Sequence, residues 1–394
     1  MEYGNSIISG KYMKTCSICN AETIPLKLGN ATVGGHKCDT LAESLSQVPL
    51  PLLLLFCPNC TMTQYVQIPE ADRILDKLYS EQHATYSQSE KIGEYVKSFA
   101  RSLSALDNNK NGIILEIGCN DGSLLSEFKF AYDRDVLGVE PGKSFTECWH
   151  KQGIPVVNTY FDEVTANQLT NKKFSIIIIR HVLEHIPDPL YFLSQVARLM
   201  DDDTTLVIES PYLLSVIKDG RYENLSYSHL NHFTIRALST MVGTFGLGIS
   251  CTRLVDTDGG SFVAEIRRGI QTKIDLLDHM RVSDLKEFLA RMMHHGEELK
   301  KRLERYLPGE VIGYGAGAKG PHLLSLYDIH RYIPIVVDDN PSYQGKYIAG
   351  TGSVIRGSEV LHSDKIKLVV NLAPTHTESI RKRIPDQIEL IDVI

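Results

Sequence analysis

Ile113-Ile114-Leu115-Glu116-Ile117-Gly118-Cys119-Asn120-Asp121-Gly122-Ser123, followed by Val136-Leu137-Gly138-Val139-Glu140-Pro141, decides the fold of this chain. An apolar run carrying Glu116 breaks into a glycine-bearing turn that opens a helix, and a second apolar run ends in Glu140. Glycine lets the backbone pass close to a ligand where a Cβ would collide. An acid ending the second strand hydrogen-bonds ribose hydroxyls. The pair predicts a doubly wound α/β sheet holding an adenosine-type cofactor at the carboxyl ends of its strands.

The turn lacks the third glycine of the dinucleotide fingerprint, which seats a pyrophosphate. Its Glu116-x-Gly118-x-x-x-Gly122 spacing resembles the first motif of class I S-adenosylmethionine-dependent methyltransferases, whose cofactor has no phosphates. That resemblance passes Gly118 and Gly122 under the methionine part, counts Glu116 and Asn120 among the cofactor-binding residues, and gives the ribose to Glu140. Later segments follow in the matching order. Lys173–Ile179 is a continuous apolar run, as expected of a parallel strand buried on both faces. It leads into Arg180-His181-Val182-Leu183-Glu184-His185-Ile186-Pro187-Asp188, which resembles the same family's motif after its fourth strand. By the same resemblance Asn158 and Phe161, in the Asn158–Asp162 segment, face the adenine, and His181 stands at the cofactor. Thr204–Glu209 reads as the fifth strand.

His181 and His185 stand four apart, which superficially suggests zinc catalysis. A metalloprotease pair carries its glutamate directly after the first histidine, whereas Glu184 directly precedes the second. Pro187 also interrupts or starts a helix there. A strand-end loop serving the cofactor is the better reading.

At 394 residues the chain is long enough for two to three domains, and its 43% hydrophobic content suffices for real cores. The net charge of −7 gives no global attraction to nucleic acid. No apolar run reaches the roughly 18 residues needed to span a bilayer, and the N-terminus lacks a basic-then-apolar signal order. A cytoplasmic protein without membrane or nucleic-acid partners is expected.

Cys16-x-x-Cys19 and Cys57-x-x-Cys60 form two pairs, each able to offer two thiolates to one tetrahedral Zn²⁺. A redox role would place one pair near a βαβ unit, and both precede any such unit. Four thiolates leave no open position, so the expected zinc is structural. Cys38, Cys119, Cys148 and Cys251 read mostly as buried small hydrophobes.

The chain after the fifth strand narrows function. Its segments include Tyr222-Glu223-Asn224-Leu225-Ser226-Tyr227-Ser228-His229-Leu230-Asn231-His232-Phe233-Thr234, Thr257–Phe262, Ile312–Gly320, Asp338–Lys346 and Asn371–His376. With the four-cysteine module, they resemble the three-domain C-methyltransferases that act on nucleotide-linked 4-keto-6-deoxyhexoses. The resemblance implies residues 1–75 as a zinc-binding module, 76–270 as the methyltransferase domain, 271–308 as a helical connector and 309–394 as a C-terminal Rossmann-like domain. It implies S-adenosylmethionine as cofactor and a nucleotide sugar as small-molecule partner, and leaves the oligomeric state open.

Methylating carbon requires a carbanion equivalent, which a neighbouring keto group supplies as an enolate. The enzyme then needs a base that titrates near neutrality, donors for the oxyanion and an aligned methyl donor. Histidine suits the first task, and the resemblance puts the family's base on His229. The pattern departs around it: Ser228 stands where the family has glutamate, Ser226 where it has tyrosine, and Tyr227 and His232 replace its histidine and tyrosine. Glu223, Tyr222 or His232 could then support the base. His181, Tyr227 and His232 are the further candidates for proton transfer. O- or N-methylation of another polar metabolite is the alternative reaction, and a non-catalytic zinc scaffold is the alternative class.

Gly313-x-Gly315-x-Gly317-x-x-Gly320, with a strand ending Val336-Val337-Asp338-Asp339, predicts a Rossmann half. The family resemblance favours a structural or substrate-shaping role for it over NAD binding. Ser283–Met293, continued by Leu299, Leu303 and Leu307, has helical spacing. Gly296 is expected to end or bend that helix, and Met292 and Met293 to lie in the core.

Overall fold

The computed structural model describes residues 15–80, 90–106, 111–257, 259–273, 278–317 and 319–394. Asp258 and Ala318, within two of the motifs above, and the first fourteen residues of the zinc module lie outside the described residues. The N-terminal segment forms β1 (Ile24–Ala31), β2 (Lys37–Cys38), β3 (Leu50–Phe56) and β4 (Thr63–Tyr65).

The central sheet is built from β5 (Ile113–Ile117), β6 (Val136–Val139), β7 (Val156–Val157), β8 (Phe174–Arg180) and β9 (Thr205–Pro211). After β10 (Asn231–His232), β11 (Leu247–Val255) and β12 (Ser261–Arg268) complete it. Its order is β11-β12-β9-β8-β5-β6-β7. The strands β5 to β9 are parallel, and β12 and β11 add antiparallel at one edge. Winding reverses between β5 and β8, which opens a crevice at their carboxyl ends. The predicted class I methyltransferase sheet is thus present. β8 is buried along its whole length, as its unbroken apolar run required.

A third sheet comprises β13 (Val311–Tyr314), β14 (Ile335–Val337), β15 (Tyr347–Ile348), β16 (Val354–Arg356), β17 (Leu368–Asn371) and β18 (Glu389–Asp392). Its order, β18-β17-β13-β14-β16-β15-β2, includes β2 from the N-terminal segment. The N-terminal sheet, β1-β3-β4-β10, in turn takes β10 from beyond the fifth core strand. Two strands are therefore exchanged across the sequence boundaries, tying all three sheets together. The glycine run of the third sheet fits Rossmann geometry. Gly315 has φ +103°, and a Cβ on Gly320 would fall on the Leu372 carbonyl.

The connector helix runs unbroken over Val282–Leu303 and buries Leu285, Phe288, Leu289, Met292, Gly296, Leu299 and Leu303. Gly296 does not end it. It is small because a Cβ there would strike the Tyr327 ring. Met292 is core as expected, but Met293 is exposed. The four remaining cysteines also split: Cys38 and Cys119 are buried, Cys148 is half-buried and Cys251 is exposed, contrary to expectation. Cys251 follows a register shift in the edge strand β11, which turns it outward.

Candidate active site

Backbone strain shapes the loop after β5. Gly118 (φ +78°), Asn120 (φ +47°) and Gly122 (φ +78°) all take left-handed conformations. A Cβ on Gly118 would collide with Val182 of the loop after β8. Gly118→Val is accordingly expected to displace that loop and abolish cofactor binding, as measured by calorimetry, with unaltered binding disproving the role given to this turn.

Glu140, at the end of β6, accepts the Asn120 amide at 3.0 Å and the Gly142 amide at 2.8 Å, one on each carboxylate oxygen. A carboxylate has about four acceptor sites, so both oxygens keep capacity for ribose hydroxyls. Burial raises its pKa, and the two amides oppose that shift. Asn158 does not reach the cleft; its side-chain amide donates to the Glu140 carbonyl at 2.7 Å and fixes the strand end. Phe161 lines the cleft, edge-on to Phe192 at 5.3 Å.

The cleft has a volume of about 1600 Å³ and is lined by Gly118, Asn120, Glu140, Phe161, His181, His185, Ser228 and His229, among others. Besides Asn158, two expected cofactor residues, Gly122 and Glu116, are absent from its lining. Gly122 faces Trp149 and Ile154, and its left-handed φ serves to start the helix Ser123–Ala131. Glu116 is dry inside the sheet, and burial pushes its pKa up to about 8. A raised folded-state value means that folding favours the protonated acid. Stability should therefore decline as pH rises from about 4.5, the ordinary value, to about 8. Glu116→Gln is expected to flatten that slope in a series of melting temperatures between pH 5 and 8; an unchanged slope would place the cost elsewhere.

His181 sits in the left-handed region (φ +49°) at the end of β8. Its Nε2 lies 3.2 Å from Glu209 and its Nδ1 3.4 Å from Glu184. Glu209 is fully buried and also receives Arg180 at 2.8 Å, Thr257 at 2.7 Å and Tyr95 at 2.9 Å. Burial would raise its pKa, but the Arg180 guanidinium and His181 outweigh that and hold it well below the usual carboxylate range. Sequence reading missed this group. Arg180 and Glu209 each stand late in an apolar strand, a position where an uncompensated charge would be costly, and that was the available signal.

His229 is buried in the cleft wall, with its ring 5.2 Å from that of His185 at 72°. The hydroxyls of Ser226 and Ser228 bond each other at 2.6 Å. Tyr227 and His232 do not line the cleft, which corrects their assignment as candidates for proton transfer. Tyr227 donates to the Pro51 carbonyl and packs 5.6 Å from Tyr65. His232 of β10 pairs with Thr63 of β4 and stands edge-on to Tyr65. Burial lowers its pKa to about 4 against the opposing charge of Glu184, so it stays neutral in a dry core. Tyr222 is also turned away, against Phe288 at 5.1 Å, whereas Glu223 pairs with Arg221 at 3.4 Å.

The four cysteine sulfurs lie within 4.8 Å of one another, with Cys16 to Cys60 at 3.6 Å and Cys19 to Cys57 at 3.5 Å. A tetrahedral site with Zn–S near 2.3 Å has S···S edges of ~3.8 Å. The donor set fits Zn²⁺ in kind, number and spacing.

Residues 88–251 match the family model described as a methyltransferase domain, and residues 258–389 match that of a C-methyltransferase C-terminal domain. The chain is an S-adenosylmethionine-dependent methyltransferase that carries the C-terminal domain of C-methyltransferases. It is similar to the C-methyltransferase NovU of Streptomyces niveus, with 21% identity over 362 residues covering 85% of this chain and 84% of that protein. Among solved structures, it resembles magnesium protoporphyrin IX methyltransferase from Synechocystis PCC 6803 with bound SAH. That likeness has 18% identity and a TM-score of 0.36 over 51% of this chain and 95% of the other. A SAM-dependent methyltransferase from Archaeoglobus fulgidus matches at 18% identity and a TM-score of 0.35, covering 46% and 96%. The sheet order and the two family matches together carry the fold of the chain. No helix among its described residues is long and apolar enough to cross a membrane.

Proposed function

We propose that this methyltransferase methylates a carbon next to the keto group of a nucleotide-activated deoxysugar, through an enolate, as a step in branched-sugar biosynthesis. The carrying observation is the extent of the cleft. It runs from the Glu140 loop past His181 and His229 to Lys319, Lys382 and Arg383 of the C-terminal unit. Its volume of about 1600 Å³ exceeds the roughly 300–1,000 Å³ of ordinary small-ligand pockets. That supports a second ligand beside the cofactor, with Lys382 and Lys319, which donates to Asn224, placed to meet a diphosphate at the far end, where Arg383 is already paired with Asp339.

S-adenosylmethionine, when bound, supplies an electrophilic methyl group. Glu140 would hold its ribose, Phe161 would face its adenine, and the Gly118–Asn120 turn would pass beneath its amino-acid part. His229 would take the substrate's α-proton as general base. Cys16, Cys19, Cys57 and Cys60 would bind one structural Zn²⁺. All eight cysteines are free of disulfides, which supports a reducing, cytoplasmic setting.

Incubation with S-adenosylmethionine and nucleoside-diphosphate 4-keto-6-deoxyhexoses in D₂O tests the reading. A C-methylated product and exchange of the substrate's α-proton are expected. O-methylated product without exchange would overturn the proposal. For the cofactor, Glu140→Ala is expected to weaken S-adenosylmethionine binding by about 1–3 kcal/mol in calorimetry, the loss of a charge-assisted hydrogen bond. Unchanged affinity would place the ribose elsewhere.

A further inference from the structure

We infer that Glu184 is the positioning residue of the proton-transfer histidine, supplying from the loop after β8 the carboxylate that the His229 segment lacks. The inference rests on the reading of His229 as base and identifies what orients and charges it. Ser228, the residue before His229, carries no charge, and its hydroxyl is bonded to Ser226.

Glu184 is 1% exposed. One of its oxygens receives the Ser210 hydroxyl at 3.0 Å, and the other faces His181 Nδ1 at 3.4 Å. Side-chain atoms of Glu184, His185 and His229 lie within 4.8 Å of one another. His185 is fixed in turn, because its Nδ1 bonds the Ser228 carbonyl while its ring meets that of His229. Asn231 stitches the two segments together, donating to the Ile186 carbonyl at 2.7 Å and the Leu183 carbonyl at 3.4 Å. The Glu184 loop and the His229 segment therefore hold one relative position.

The charges around Glu184 support the assignment. His181 and His185 share its loop, His229 faces it from the cleft wall, and His232 faces it from β10. Glu209, on β9, is already paired with Arg180. Burial would raise the Glu184 pKa, but His181 and His185 hold it below the ordinary carboxylate value, so the group is an anion among imidazoles. An anion within 4–6 Å favours the imidazolium that forms when the base takes a proton. A carboxylate fixed in this way also sets which face and tautomer a histidine presents.

Histidine-labelled protein tests the inference without a substrate. The His229 imidazole resonance, assigned by its loss in His229→Asn, is titrated by NMR in wild type and in Glu184→Gln. The midpoint is expected to fall by about one pH unit in Glu184→Gln, and Glu184→Asp, which keeps the charge, should restore most of it. With the nucleoside-diphosphate keto-sugar, Glu184→Gln should lower kcat roughly 10- to 1000-fold. KM and cofactor affinity should stay near wild type, and the acid limb of kcat should move down with the His229 midpoint. An unmoved His229 midpoint in Glu184→Gln, or in Glu184→Ala where Glu184→Gln does not fold, would overturn the inference. So would a divalent metal, beyond the cysteine-bound one, that is lost in Glu184→Gln, because Glu184, His185 and His229 would then be its ligands. Methyl transfer that survives His229→Asn would instead remove the base reading on which the inference stands.

Discussion

Replacing His229 by asparagine is expected to lower methyl transfer by about 100- to 10,000-fold, the usual contribution of a positioned acid–base residue. Cofactor affinity should be retained, because the Glu140 loop that would bind the ribose is built from another part of the sheet. The substitution removes the proton acceptor while preserving a polar side chain of similar size. Exchange of the substrate's α-proton with D₂O should fall in parallel with methylation. Single-turnover kinetics with a nucleoside-diphosphate keto-sugar and calorimetry with S-adenosylmethionine would read the two effects separately. If exchange survives while methylation falls, the base is another group. His181 would then be next to test, since Tyr227 and His232 lie outside the cleft.

The second large effect concerns the thiol cluster. Purified protein is expected to carry about one zinc per chain. Cys57→Ser should lose most of it and lower stability by several kcal/mol, because metal binding in such modules is itself folding free energy. The damage should not stop at the N-terminal segment. Thr61, directly after Cys60, bonds Thr234 at 2.6 Å, and the Tyr65 amide donates to the Leu230 carbonyl at 2.8 Å. These bonds hold the residues flanking His229, so turnover should fall together with zinc content. Elemental analysis, melting curves and activity of the same preparations would check this. A metal-free preparation with wild-type melting temperature and activity would refute the zinc assignment.

The central sheet, the crevice position and Glu140 were legible in the sequence because each depends on a contiguous segment. A run such as Lys173–Ile179 can be satisfied only as a strand buried on both faces, and an acid closing β6 lies beside the crevice in any doubly wound sheet. The four thiols were legible for a similar reason, since CxxC spacing presents two ligands from one turn. The sequence by itself therefore determined the class of sheet, the cofactor crevice, the donor set of the thiol cluster and the segment that carries His229. Which neighbours of His229 face the cleft was decided by long-range pairing. β10 joins β4, and in that register His232 enters a dry core; a one-residue slip in a strand reverses every side chain. Tyr227 was turned away by its bond to Pro51, a partner 176 residues distant. The approach of Glu184 to His229, the arrival of Lys319 at the cleft and the fit of Gly296 under Tyr327 were likewise set only by tertiary packing. No local period or turn residue encodes such contacts, because both partners must first be brought together by strands paired far apart in the chain.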